Sequence, residues 1–346
     1  MGLEGARVTV VGAGVVGLSA AHDLAAAGAT VLVVGDRAAH EGVSGVAGGL
    51  WFPYRVTTPP GADDVLLRSR ARFEELADRP GTAVTVRAGT VVERTAAPDR
   101  SWTAAAIGPR EARADELPAG AASGVRASLP VADTPHYLRW LRDRCGHLGV
   151  VEQRAQVHDL DATAAATAAD LVVLAAGGRS GELVADPDPG HPVGGQVVRL
   201  RNPGLVEWLL DEEDPAGLTY VIPRGEDVVC GGTADPWPAT TAVDPGVQEQ
   251  ILRRVVAAVP ALAGQDVLGA AYGLRPARAT LRLGPVPGGA VPVVACYGHG
   301  GAGLTLSWGC AEAVVRFAAA LLGPRTADRP GPPTGSGPVD DLPQFV

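Results

Sequence analysis

Val8-Thr9-Val10-Val11-Gly12-Ala13-Gly14-Val15-Val16-Gly17 decides the fold. Its β-branched residues read as a buried strand. The Gly-x-Gly-x-x-Gly turn that follows opens into Leu18–Ala27, a helix-forming run. Gly12 permits a tight turn, Gly14 lets backbone approach a pyrophosphate, and Gly17 lets helix and strand pack closely. The helix N-terminus then offers unpaired N–H groups and the positive end of its dipole to phosphate. A second strand, Thr30–Val34, leads to Asp36, 19 residues after Gly17. A carboxylate at that distance meets a ribose hydroxyl. Strand, glycines, helix, strand and acid together predict a dinucleotide site, with NAD and FAD both open.

Moving outward, 346 residues suit about two domains. The net charge is −9 with no basic block, which disfavours nucleic acid and anionic membranes as partners. All 29 basic residues are arginine, so no single arginine is informative by itself. Cys145, Cys230, Cys296 and Cys310 are widely spaced, predicting buried thiols rather than a metal site or disulfide framework. The apolar run from Val8 to Val34 is broken by glycines, His22 and Asp23, so neither a signal peptide nor a membrane span is expected there, and the expected compartment is the cytoplasm.

Gly42–Tyr54 has neither helical nor strand period. Its small residues suit a strip lying flat against a planar ring such as a flavin, against the plainer reading of a packed loop. Helices are predicted over 64–77, from a Thr134-Pro135 start, over 245–259 and over 303–322. Strands are predicted in 82–94, from Val150 with a continuation to Val157, and over 171–174, 196–201, 218–223 and 228–233; 99–124 reads as irregular. Nucleotide-fold pieces therefore lie at the start, the middle and the end of the chain. The expected class is α/β, a discontinuous Rossmann-like domain (1–57, 140–195, 272–323) interleaved with an antiparallel-sheet substrate domain (58–139, 196–271). Residues 324–346 read as a disordered tail.

From Val8 to Leu322 the chain resembles the D-amino-acid oxidases of the FAD-dependent family. Val8–Gly17 with Asp36-Arg37 carries part of the resemblance, and Val46–Tyr54 a second part. The most specific part is Tyr297-Gly298-His299-Gly300-Gly301-Ala302-Gly303-Leu304-Thr305-Leu306-Ser307-Trp308-Gly309-Cys310, preceded by Gly273-Leu274-Arg275-Pro276-Ala277-Arg278. The resemblance implies FAD held by Gly12, Ala13, Gly14, Val15, Val16, Gly17, Asp36, Arg37, Val43, Ser44, Gly48, Gly49, Leu50, Val157, Ala176, Arg278, Gly300, Gly303, Leu304 and Thr305. It also implies that Arg278 and Tyr220 grip the carboxylate of a D-amino acid while the Gly301 carbonyl orients its amine. No metal is implied, and His299 receives no catalytic role.

The implied reaction is hydride transfer to the flavin, giving a 2-oxo acid and ammonia, with dioxygen reduced to hydrogen peroxide. The loop 212–218 lacks the second tyrosine that some relatives carry on a lid, which implies a more open site. Ala234 after Gly231-Gly232-Thr233 stands where D-aspartate oxidases carry arginine, which implies neutral substrates, although Arg224 could supply a charge. Rival readings are a glycine or sarcosine oxidase-like enzyme, a flavin dehydrogenase using another acceptor, and a redox-inactive nucleotide-binding module. A homodimer is compatible with the resemblance.

Overall fold

The computed structural model describes residues 2–53, 57–59 and 64–323. Tyr54 and the expected tail lie outside them. Five strands run parallel, in the order β14 (Val293–His299), β7 (Leu171–Leu174), β1 (Arg7–Val11), β2 (Thr30–Gly35) and β6 (Val151–Arg154). Strand parity divides their side chains between two cores. Val8, Val10, Val31, Val33, Leu171 and Val173 meet α1 (Val15–Ala26), α4 (Thr134–His147) and α8 (Gly303–Leu322) on one face. On the other face Val11, Val34, Val172 and Leu174 meet α5 (Leu160–Ala166). Apolar residues on both faces are what a parallel sheet covered by helices requires. The strand expected to continue to Val157 ends at Arg154.

The sheet continues through β13 (Val267–Val286) into the order β8 (His191–Arg201), β11 (Asp227–Gly231), β10 (Thr219–Pro223), β9 (Trp208–Asp211), β3 (Val84–Glu93), β5 (Ser123–Ala132) and β4 (Ile107–Glu111). These pair antiparallel except for β3 with β9. A short β12 (Asp235–Pro236) adds to β8. β13 spans 20 residues, pairing with β8 over its first part and with β14 over its second. One strand therefore joins the nucleotide-binding half to the antiparallel half. The architecture is the expected one, a discontinuous Rossmann-like unit with an interleaved antiparallel sheet.

Several elements were not assigned from sequence. β4 and the start of β5 fall in the stretch read as irregular, and β9 and β13 had no assignment. The helix expected to start at a Thr134 cap has Asp133 in the cap position instead. The Thr134 hydroxyl donates to the Ala47 carbonyl at 3.0 Å and accepts from Arg224 at 2.8 Å, so it fastens a loop. Further helices are α2 (Val43–Val46), α3 (Val65–Ala77), α6 (Ser180–Leu183) and α7 (Pro245–Ala258). Gly300–Leu322 is long and apolar enough to cross a membrane by composition, but 61% of its most apolar window is buried within this structure. It packs tightly there. A Cβ on Gly309 would lie 1.9 Å from the Val65 carbonyl oxygen, and Trp308 donates to the Tyr137 hydroxyl at 2.8 Å.

Candidate active site

β1 delivers Gly12 to the carboxyl edge of the parallel sheet with φ +117°. Its N–H donates to Val34 O at 2.8 Å, and a Cβ there would lie 2.2 Å from Ala175 O. A Cβ on Gly17 would lie 1.9 Å from Gly12 O, so glycine is what lets α1 press on the turn. Gly12, Ala13, Gly14 and Val16 are part-exposed while Val15 and Gly17 are buried. α1 has no side chain closing its N-terminus across its cap residue. Ser44 comes instead from α2, its Oγ accepting from Val15 N at 3.1 Å.

The ends of β7 and β14 lie on the same edge. Ala176 leads into Gly177 and Gly178, around which a Cβ would meet nothing within 4 Å. Gly300 and Gly303 are nearly as open, the nearest atoms to such a Cβ being 3.8 and 3.9 Å away. α8, like α1, starts without a side-chain cap. Two helix N-termini on one edge, neither closed by its own cap residue and separated by side-chain-free backbone, fit an extended ligand with anionic groups. Asp36 stands exposed at the end of β2, gripped by Arg37 at 3.1 and 2.8 Å, and that hydrogen bonding holds its carboxyl below the usual range. Val157, from the segment after β6, is buried beside this edge and accepts from Arg179 through its carbonyl at 3.1 Å.

The glycine strip lies against β5 and β10 of the antiparallel half. Gly49, at φ +90°, would place a Cβ 1.9 Å from Ala132 O; Leu50 bridges to Val131, and Ala132 N donates to Gly49 O. A Cβ on Gly48 would touch Ile222 and approach the Tyr220 ring. Thr305 is buried: its hydroxyl accepts from Phe52 N at 3.2 Å and donates to Phe52 O at 3.0 Å. The strip is thus clamped to the start of α8, and the Thr305 side chain acts on protein backbone. Leu304 is buried beside it, and Gly301 is exposed in the single turn 300–302.

Tyr220, on β10, lies against Gly231 and Gly232; a Cβ at either would fall within 2.7 Å of its ring or hydroxyl. Next to this corner, the Arg275 guanidinium donates to Thr233 O at 3.0 Å. It covers Gly195, where a Cβ would lie 2.5 Å from its nitrogens. Among the described residues no carboxylate forms an ion pair with Arg275 within 4 Å. A planar cation and a phenol therefore flank one glycine-lined corner.

Arg278 is elsewhere, which corrects the expectation that it grips a substrate carboxylate or the cofactor. Its donors go to Asp188 O at 2.8 Å and Thr280 O at 2.7 Å, and it pairs with Asp186 at 3.4 Å. The Tyr297 hydroxyl donates to the same Asp186. The reason is parity: three residues apart on a strand, Arg275 and Arg278 leave opposite faces. The sequence reading also missed Arg254. This buried guanidinium donates to Ala216, Leu218 and Gly232 carbonyls, fastening the 216–218 loop to the Tyr220 corner. Arg224 is buried and paired with Asp227 at 2.8 Å, so it presents no charge to that corner. A cavity of about 530 Å³ opens beside Phe52, Trp102, Leu210, Glu213 and Leu306, but neither Tyr220 nor Arg275 lines it.

The glycine-lined edge and the Arg275–Tyr220 corner sit in a discontinuous Rossmann-like fold, that of an FAD-dependent oxidoreductase. Residues 7–317 match the family described as FAD dependent oxidoreductase, and the chain belongs to that family. It is 43% identical over 320 residues to a D-amino-acid oxidase of Rubrobacter xylanophilus, covering 92% of this chain and 97% of that one. A Streptomyces coelicolor D-amino-acid oxidase is 42% identical over 318 residues, covering 90% and 96%. The fold is that of glycine oxidase from Bacillus cereus, with TM-score 0.74 at 21% identity over 92% of this chain and 99% of the other. FAD is the family's cofactor, and the two helix N-termini and open glycines fit it.

Proposed function

We propose that this protein is a D-amino-acid oxidase acting on neutral D-amino acids. The observation that carries the reading is the Arg275–Tyr220 pair at the glycine corner. A guanidinium with no carboxylate partner among the described residues, next to a phenol, suits an α-carboxylate, which a planar fork binds through two N–H bonds. Arg275 and Tyr220 then fix the carboxylate, and the Gly301 carbonyl accepts from the amine. Gly12–Gly17, Asp36, Ser44, the 48–50 strip, Ala176 and the 300–305 turn would hold FAD, which would supply the hydride acceptor and the route of electrons to dioxygen. The N-terminal end of α8 favours negative charge that develops beside it. No side chain need act as acid or base, so the protein's contribution is orientation and electrostatic preorganisation. Ala234 after Gly231-Gly232-Thr233 and the commitment of Arg224 to Asp227 favour a neutral side chain over an acidic one.

The test is peroxide release across D-alanine, D-valine, D-aspartate, their L-enantiomers, glycine and sarcosine. Fast release from the neutral D-amino acids is expected. Preference for glycine, sarcosine or D-aspartate would overturn the substrate assignment, and reduction of flavin without peroxide would overturn the oxidase assignment. On the cofactor side, Asp36→Ala should weaken FAD retention about 10–100-fold, the worth of one hydrogen bond to a charged group. Fluorescence titration of the apoenzyme with FAD measures it; unchanged affinity would remove Asp36 from the ribose.

A further inference from the structure

Cys296 lies in the middle of β14 and His299 at its end, with Cys310 on the second turn of α8. All three are buried, and their Sγ, imidazole nitrogen and Sγ atoms lie within 4.8 Å of one another. The Cys310 Sγ to His299 Nε2 distance is 3.5 Å. Wide spacing in the sequence gave no metal signal; the turn from β14 into α8 closes the gap. We propose that Cys296, His299 and Cys310 form a binding site for a thiophilic divalent cation of the zinc class.

Three arguments carry it. Tetrahedral zinc with Zn–S about 2.3 Å and Zn–N about 2.0–2.1 Å holds sulfur and nitrogen ligands about 3.5 Å apart and two sulfurs about 3.8 Å apart. The Cys310–His299 pair is already at this sulfur–nitrogen distance, and all three atoms lie within 4.8 Å of one another. Softness comes next: two thiolates and an imidazole select zinc, cadmium or cuprous ion over magnesium or calcium. Charge is the third. Two thiolates neutralise one divalent ion, so the complex can sit in a packed interior without a buried net charge. The site brackets the 300–305 turn, so a bound ion would tie β14 to α8 across it.

Cys145 and Cys230 are buried elsewhere, Cys145 against Leu18 O and Cys230 near Val228 O, and serve as internal controls. The FAD-loaded, reduced, chelator-treated enzyme is titrated with Cd²⁺ while the thiolate-to-cadmium charge-transfer absorbance is followed. One equivalent per chain is expected to saturate the band, added Zn²⁺ should bleach it, and the thermal midpoint should rise with ion concentration. Cys296→Ser and Cys310→Ser should each abolish the band, while Cys145→Ser should keep it. Retained flavin absorbance shows which variants are folded, and Cys296→Ser decides the matter if Cys310→Ser loses flavin. Absence of a band at one equivalent, or a band that survives Cys296→Ser, would overturn the site.

Discussion

Arg275→Met should lower kcat/KM for D-alanine by about 10²–10⁴-fold while the protein keeps its FAD. A hydrogen bond to a charged group contributes about 1.5–3 kcal/mol, and a bidentate guanidinium makes two. At about 1.4 kcal/mol per tenfold, losing both gives that range. Methionine keeps much of the stem's packing, so the loss reports on the charge. Arg278→Met should behave in the opposite way. Its guanidinium pairs with Asp186, which also holds the Tyr297 hydroxyl. Truncating one partner of such a mostly buried pair costs about 3–5 kcal/mol. The melting midpoint should therefore fall by several degrees with KM little changed. Steady-state kinetics and melting curves on both variants separate the two arginines. If Arg278→Met raised KM while Arg275→Met did not, the carboxylate site would move to the other face of β13.

That pair of arginines also marks where sequence reading stops. Gly273–Arg278 is informative as a motif, but choosing between two arginines requires the strand parity, and the strand was not legible. Gly269, Gly273, Pro276 and Gly284 all argue against a strand. The structure accommodates Pro276 by pairing it with Pro192, so that two residues lacking an N–H face each other. By contrast β1, α1 and β2 were legible because each turn in that unit is local and the glycines have steric duties. The order of the antiparallel strands depends on partners far apart in the chain, which local pattern does not encode. Cys296, His299 and Cys310 illustrate the same limit in miniature. Their approach depends on how β14 turns into α8. Arg254 was hidden for a related reason: in a chain whose basic residues are all arginine, a buried guanidinium on an amphipathic helix reads as surface charge.

Gly12→Ala should yield protein that retains little FAD and unfolds at much lower temperature. Two costs add at this position. A non-glycine residue held at φ +117° bears strain of about 1–3 kcal/mol. The new methyl would also lie 2.2 Å from Ala175 O, 2.6 Å from Ala175 C and 2.9 Å from Ala176 N. These are backbone atoms of the segment leaving β7, tied to β1 by the Ala175 N to Val11 O hydrogen bond at 2.8 Å, so they cannot swing aside like a side-chain tip. Overpacking of that kind costs a further 1–3 kcal/mol or so. Together these approach half of a stability of about 5–15 kcal/mol. Gly149→Ala supplies the comparison. Its φ is +80°, but a Cβ there would meet nothing within 4 Å, so it carries strain without a clash. It should melt slightly early and keep its FAD. The ratio of flavin to protein absorbance, with melting curves, reads both. Equal FAD content and equal melting in the two variants would mean that β7 yields at Ala175 without cost. Gly12 would then matter for its φ alone, and the close approach of β1 to the return strand would have no part in shaping the dinucleotide edge.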